Sequence, residues 1–100
     1  MSDINFLKDY FNNLKRLIDN EKYFENLVKV KDILKKTHSE GKKTMIFGNG
    51  GSAAIASHFS IDCNNMLKIR CLNFNEASIL TCYSNDYGYE NWVKKALEQF

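Results

Sequence analysis

The ten residues from Met45 to Ala54 constrain the fold more than any other part of the chain. They read MIFGNGGSAA, so a short apolar run meets a glycine-rich segment and then small, helix-forming residues. This order predicts a buried strand, a tight loop and a helix. Glycines let a ligand approach the backbone closely, and a helix directs its unpaired N–H groups and positive dipole end at the same space. The stretch therefore predicts a loop that binds a phosphate or another anion.

The glycine spacing excludes two common nucleotide-binding loops. No Gly-Lys-Ser/Thr follows, so this is not a Walker loop, and the spacing does not fit the dinucleotide fingerprint. A plain strand-to-helix turn needs one or two glycines, whereas Gly48, Gly50 and Gly51 occur together with Asn49 and Ser52. We interpret the segment as a binding loop. Ser52 has a second interpretation, as the N-cap of the following helix.

Two amphipathic helices are predicted before this loop. Apolar residues recur at spacings of three and four from Ile4 to Ile18, with Ser2 or Asp3 available as N-cap. A break over 19–21 and a second helix ending near Gly41 follow. Such narrow apolar stripes are typical of helices that pack on other helices.

The rest of the chain alternates between helix and strand. The predicted elements are a helix from Ser52 to Asp62 or beyond, a strand from Lys68 to Leu72, a short helix capped by Asn75, a polar turn over 84–88, and a last helix with Trp92 and Phe100 on its apolar face. This order predicts an α/β fold with a doubly wound parallel sheet flanked by helices. Two strands do not make an independently stable sheet. We therefore expect residues 1–100 to be the first part of one larger domain, with 1–40 as a helical arm and 41–100 as the beginning of the sheet.

His58 and Asp62 are the main ionisable candidates, because residues four apart share one side of a helix. Ile55, Phe59 and Met66 fall within about 40° of one another on a helical wheel, with Asp62 inside that stripe and His58 at its border. A carboxylate on a buried face is costly unless it is paired or functional. One interpretation is structural, with the two side chains hydrogen-bonded to a partner in a buried or partly exposed position. The other is functional, with His58 and Asp62 acting as an acid/base pair or binding a metal ion. The pair would supply only two metal ligands.

The segment from Ser84 to Tyr89 is a third candidate. Asn85 and Asp86 are expected on a loop, where they could bond sugar hydroxyls. Alternatively, Asp86 caps the last helix and Gly88 eases the turn.

Composition narrows the class of protein. A net charge of +2 gives no strong attraction to nucleic acid or membrane, and we expect neither as a partner. The N-terminal residues lack a signal-peptide pattern. Three cysteines without a C-x-x-C spacing indicate reduced thiols and a cytoplasmic protein. Cys63 and Cys82 are expected to be small core residues.

The segment from Phe47 to Ala54, with His58 and the later Asn-Asp-Tyr-Gly-Tyr, resembles the sugar isomerase (SIS) family, and within it the phosphoheptose isomerases. The resemblance covers essentially the whole chain. It implies a five-stranded, flavodoxin-like parallel sheet and a homotetramer built through the first helices. It implies isomerisation of sedoheptulose 7-phosphate to a D-glycero-heptose 7-phosphate through an enediol, for lipopolysaccharide or capsule.

The same resemblance assigns roles to individual residues. It implies that the loop residues Asn49, Gly50, Gly51 and Ser52 bind the substrate, and that Asn85 and Asp86 lie near the sugar. His58 would be a catalytic, substrate-binding or zinc-binding residue, because some family members hold Zn²⁺ there.

Two departures from the family pattern are visible. The presumed catalytic base is a glutamate, whereas Asp62 occupies that position and is one methylene shorter. A shift of the carboxylate by about 1 Å is enough to lower a rate substantially. The family's Ser/Thr-rich phosphate loop is also expected beyond Phe100, so the 100-residue chain alone is expected to be inactive. The alternative hypotheses are an isomerase for another phosphosugar and a non-catalytic SIS module, of the replication-initiator-associating type, that binds a phosphosugar or a protein.

Overall fold

Residues 2–100 are described by a computed structural model, and their elements follow the predicted order of helices and strands. The elements are α1 (Asp3–Ile18), α2 (Glu21–Ser39), β1 (Thr44–Ile46), α3 (Gly51–Asn65), β2 (Cys71–Asn73), α4 (Ala77–Tyr87), a 3₁₀ turn (Tyr89–Asn91) and α5 (Trp92–Gln99). None of the helices in this part of the chain combines the length and the apolar character that crossing a bilayer requires.

The chain divides after Ile33 into two compact units. In the first unit, Ser2, one of the two predicted N-cap residues, caps α1 by accepting a hydrogen bond of 3.3 Å from the Asn5 N–H. The break before Glu21 is also confirmed. No residue of α1 or α2 is buried, so their apolar stripes are exposed in the single chain.

The second unit contains the sheet. β1 and β2 are parallel, with Thr44 opposite Cys71 and Ile46 opposite Asn73. This confirms an α/β chain with parallel strands joined through α3. The prediction that β2 spans 68–72 was wrong at its start, because the strand begins three residues later, at Cys71, and it ends one residue later, at Asn73. Lys68 takes a positive φ of 55°, and the Ile69 N–H bonds to the Cys63 carbonyl, so this segment closes the helix end before the strand begins.

An aromatic core lies between the strands and the last two helices. Phe74, Trp92 and Ala96 are buried there. Trp92 packs edge-on against Phe47, with ring centroids 5.5 Å apart. Its predicted place in the core is confirmed. Phe100 stacks on Phe74 at 4.7 Å but stays 48% exposed, so its prediction as a core residue was wrong.

A second buried cluster joins α3 to β2 through small side chains. Ala56, Ser60 and Cys63 are buried on the helix, and Cys71 is buried on the strand. Burial, followed by the neighbouring Cys63 thiol, raises the pKa of Cys71 to about 11. Cys63 is therefore a core residue as predicted. Cys82 is not, because it is exposed on α4 and its thiol donates to the Asp86 carboxylate, which raises the pKa of Cys82.

The region around α4 differs from the prediction at both ends. Asn75 does not cap the helix. Glu76 does, accepting from the Ser78 and Ile79 N–H groups, which lowers its pKa. The predicted polar turn over 84–88 is instead the last turn of α4, with Gly88 as C-cap. The helix continues there because nothing in the sequence before Gly88 breaks it.

Candidate functional site

The glycine loop lies at the carboxyl end of β1 and leads directly into α3. At Gly48 the backbone folds so closely onto the helix that a Cβ atom would lie 2.3 Å from the Ser52 carbonyl oxygen. Gly50 is the N-cap, with a φ of +53° that suits glycine. The sharp turn from strand to helix therefore depends on these two glycines.

Ser52 does not cap the helix, contrary to one of its two interpretations. It lies in the first turn of α3, and its N–H donates to the Asn49 carbonyl at 2.9 Å. Gly50 occupies the cap position without a side-chain hydrogen bond. The Ser52 hydroxyl is therefore not required for capping and lies on the exposed surface of the loop.

The surface of the loop is open and suited to an anion. Asn49, Gly50, Gly51 and Ser52 are all exposed. The first turn of α3 carries no acidic residue, so its positive dipole end is not neutralised by the helix itself. The predicted substrate-binding loop residues thus form one continuous exposed surface.

Two asparagines at the end of the second strand, neither of which the sequence analysis assigned to the site, hold the loop. The Asn75 amide donates to the Gly48 carbonyl at 2.7 Å, and the Asn73 amide donates to the Ile46 carbonyl at 2.8 Å. Asn73 also accepts from the Ser57 hydroxyl of α3 at 3.1 Å. Their position directly after a predicted strand was the available signal, because the carboxyl ends of neighbouring parallel strands meet at one edge.

Tyr89 is a third residue that the sequence analysis left without a role. Its hydroxyl donates to the Asn49 Oδ1 atom. The contact follows from the aromatic core, because Phe47 lies two residues before Asn49 and Trp92 lies one helical turn after Tyr89. No local sequence pattern predicts a contact between residues 40 positions apart.

His58 and Asp62 form an exposed pair on α3. The His58 Nε2 and Asp62 Oδ1 atoms are 3.5 Å apart, and the two side chains are 77% and 49% exposed. They lie seven and eleven residues after Gly51, or about 10 and 16 Å along the helix at 1.5 Å per residue. A ligand that reaches both the loop and this pair must therefore lie along α3.

The predicted burial of the stripe around Asp62 was wrong. Ile55, Phe59 and Met66 are 70%, 39% and 71% exposed. The helix packs on the sheet through Ala56 and its small neighbours instead, roughly 100° around the helix from Ile55. Small side chains allow α3 to approach the sheet closely, and the large apolar residues consequently face outward.

The pair offers a nitrogen and an oxygen donor, which suit zinc, but too few of them. A catalytic zinc has three protein ligands and a structural zinc has four. Within residues 2–100, no third His, Cys, Asp or Glu joins a cluster with His58 and Asp62. These two residues alone therefore do not make a zinc site.

Asn85 and Asp86 lie in the last turn of α4 rather than on a loop. The Asn85 amide donates to Asp86 Oδ1 at 3.2 Å, and both side chains are exposed. Asp86 does not cap α5, whose N-cap position is Asn91. Among the described residues, the hydrogen bond from this segment to the glycine loop is made by Tyr89.

The sequence profile of a family described as "SIS domain" matches residues 6–98. The phosphoheptose isomerase of Fusobacterium nucleatum is 30% identical over 105 aligned positions, covering all of this chain and 54% of that protein. That of Geotalea uraniireducens is 36% identical, covering 69% of the chain and 40% of the protein. That of Aquifex aeolicus is 33% identical, covering 78% of this chain and 44% of that protein. The chain thus spans about half the length of the curated relatives it matches.

Proposed function

Because the chain belongs to the SIS domain family, we propose that it carries part of the active site of a phosphosugar aldose–ketose isomerase. The named relatives are phosphoheptose isomerases. The observation that carries the proposal is the exposed glycine loop at the N-terminus of α3, with an ionisable pair further along the same exposed side of that helix. A sugar phosphate is both long and anionic, which suits this arrangement.

The favoured reaction is conversion of sedoheptulose 7-phosphate to D-glycero-heptose 7-phosphate, for lipopolysaccharide or capsule heptose. Asn49 and Ser52 bind sugar oxygens at the loop, and Asn85 and Asp86 lie toward the sugar. The Asp62 carboxylate removes a proton from the hydroxyl-bearing carbon next to the carbonyl while the carbonyl oxygen takes up a proton, giving an enediol. The hydroxyl of the first carbon then loses its proton and becomes the new carbonyl, as Asp62 returns the carbon-bound proton to the former carbonyl carbon. His58 hydrogen-bonds a substrate oxygen beside it.

The proposal also covers the complete sheet, the oligomeric state, zinc binding and the cellular location. A complete doubly wound sheet needs more strands than β1 and β2. The exposed apolar stripes of α1 and α2 support a homotetramer that buries them between subunits. Zinc bound by His58 and Asp62 would require further ligands from outside the described residues. The free cysteines support a cytoplasmic location.

The test uses the protein expressed from its complete reading frame, incubated with sedoheptulose 7-phosphate in D₂O. Isomerisation through an enediol should place deuterium on the carbon that receives the proton, as measured by NMR. Asp62→Asn should lower kcat by about 10²- to 10⁴-fold, the range for loss of a general base. Asp62→Glu, which restores the longer carboxylate, should remain active.

Asp9→Asn is the matched control, because Asp9 is an exposed aspartate of α1, and its activity should be unchanged. Full activity of Asp62→Asn would disprove the role of Asp62 as base. Binding of the sugar phosphate without turnover would instead favour a non-catalytic SIS module. Turnover of a different phosphosugar would correct the substrate.

A further inference from the structure

The hydroxyl of Tyr89 donates a hydrogen bond to Asn49 in the glycine loop. We propose that Tyr89 is a positioning residue, which holds the Asn49 carboxamide with its N–H donors directed toward the ligand. This inference rests on the proposed function, because it assumes that Asn49 contacts the substrate.

The chemistry of the carboxamide explains why its orientation matters. An asparagine side chain has one acceptor oxygen and an NH₂ group with two donors, and rotation by 180° exchanges them. The hydrogen bond from Tyr89 occupies Oδ1 of Asn49. The opposite side of the group, Nδ2, is therefore a donor, which selects acceptor oxygens such as a carbonyl, a phosphate or an enediolate oxygen.

The donor orientation agrees with the charge at this end of α3. The helix N-terminus also favours negative charge, and its first turn has no acidic residue. An Asn49 side chain with its oxygen outward would oppose that preference. Tyr89 thus makes the side chain and the helix act on the same kind of ligand atom.

Both partners of this hydrogen bond are held by the fold. On the loop side, Asn75 fixes the Gly48 carbonyl at 2.7 Å, next to Asn49. On the other side, Trp92 is only 3% exposed and anchors the turn that contains Tyr89. The Asn91 N–H closes this turn on the Gly88 carbonyl at 3.0 Å. The backbone on both sides of this hydrogen bond is therefore held by packing and by hydrogen bonds, while the Tyr89 side chain is 53% exposed and reaches Asn49 at the surface.

Tyr87 offers a matched control two residues away. Its ring lies 6.1 Å from the Tyr83 ring and under the Lys95 ammonium at 4.6 Å. These are contacts of the ring and do not require its hydroxyl. Tyr87→Phe therefore removes a hydroxyl from the same segment without touching Asn49.

The first experiment needs no ligand. The order parameter of the Asn49 side-chain NH₂ group is measured by ¹⁵N relaxation in the wild type, Tyr89→Phe and Tyr87→Phe. The order parameter should fall in Tyr89→Phe alone, because only this change frees the carboxamide. An unchanged value in Tyr89→Phe would overturn the proposal.

The second experiment is a double-mutant cycle on activity and substrate binding in the complete protein. Tyr89→Phe should lower kcat/KM by about tenfold, the scale of one hydrogen bond, without lowering Tm. Asn49→Ala should lower it further, and adding Tyr89→Phe to Asn49→Ala should have no additional effect. Where turnover of Asn49→Ala is too slow, Kd for sedoheptulose 7-phosphate replaces it.

The outcomes distinguish the positioning role of Tyr89 from the contact between Asn49 and the substrate. Equal losses from Tyr89→Phe in both backgrounds, or a fall in Tm, would mean that Tyr89 acts only on the fold and would overturn the inference. No loss from Asn49→Ala would instead remove Asn49 from the proposed substrate site. Asn49→Asp keeps an acceptor for Tyr89 but presents an oxygen to the ligand, so it should bind the sugar phosphate more weakly than Tyr89→Phe.

Discussion

At the scale of single residues, the need for glycine at position 48 comes from the close approach of two backbone segments and not from a need for backbone flexibility. Gly48 is excluded from carrying a side chain because the first turn of α3 lies against it. Gly51, three residues later, has open space around its Cα and no positive φ. The three glycines of the loop are therefore not equivalent, although they look alike in the sequence.

Gly48→Ala and Gly51→Ala test this difference. Gly48→Ala should destabilise the protein by more than about 2 kcal/mol, because a Cβ atom 2.3 Å from a backbone oxygen forces the loop away from the helix. Gly51→Ala lies in the first turn of α3 and should be neutral or stabilising by up to about 1 kcal/mol. Urea unfolding measures both. Equal effects would show that the close approach does not constrain the loop.

At the scale of elements, polar side chains connect α3 and the sheet in addition to the packing of small buried residues. The Asn64 amide donates to the Ser60 carbonyl at 2.7 Å and to the Cys71 carbonyl at 2.6 Å, and its oxygen accepts from the Cys71 N–H at 3.3 Å. At the other end of β2, Asn73 accepts a hydrogen bond of 3.1 Å from the Ser57 hydroxyl of α3. Asparagines thus align the strand with the helix at both ends.

Asn64→Ala should lower the free energy of unfolding by about 2 kcal/mol, since it leaves the N–H and C=O groups of Cys71 without this partner. Asn65→Ala is the control, because Asn65 is exposed and its hydrogen bond with Lys68 uses the backbone carbonyl, which alanine keeps. It should change stability by less than about 0.5 kcal/mol. Similar stabilities of the two variants would contradict the bridging role of Asn64.

At the scale of the whole molecule, most of the exposed large apolar residues among residues 2–100 belong to α1 and α2. Leu7 and Phe11 are 51% and 53% exposed, and they lie on one side of α1. Apolar stripes of this kind usually mark an interaction surface. The proposed tetramer would remove them from water.

Light scattering coupled to gel filtration tests this assembly. The double variant Leu7→Lys/Phe11→Lys should have a lower molar mass than the wild type, because charged side chains would have to be buried in the interface. Asn12→Lys introduces a charge at an exposed position about 100° around the helix from Phe11 and about 140° from Leu7, and should leave the mass unchanged. A monomeric wild type, or an unchanged mass in the double variant, would exclude α1 from the interface.

Local sequence determined much of this protein. Hydrophobic periodicity and capping residues located α1, and the alternation of elements gave the parallel α/β arrangement. The glycines marked the loop because strand, turn and helix propensities act over a few neighbouring residues.

Only the tertiary structure decided which surfaces are buried and which side chains meet. It turned Ile55 and Phe59 outward, because small residues on another side of α3 pack more closely on the sheet. In the folded chain, Asn75 bonds to the glycine loop and does not cap a helix, and Tyr89 contacts Asn49. Such contacts depend on how separate elements pack, and the sequence around a residue does not predict which distant residue it will contact.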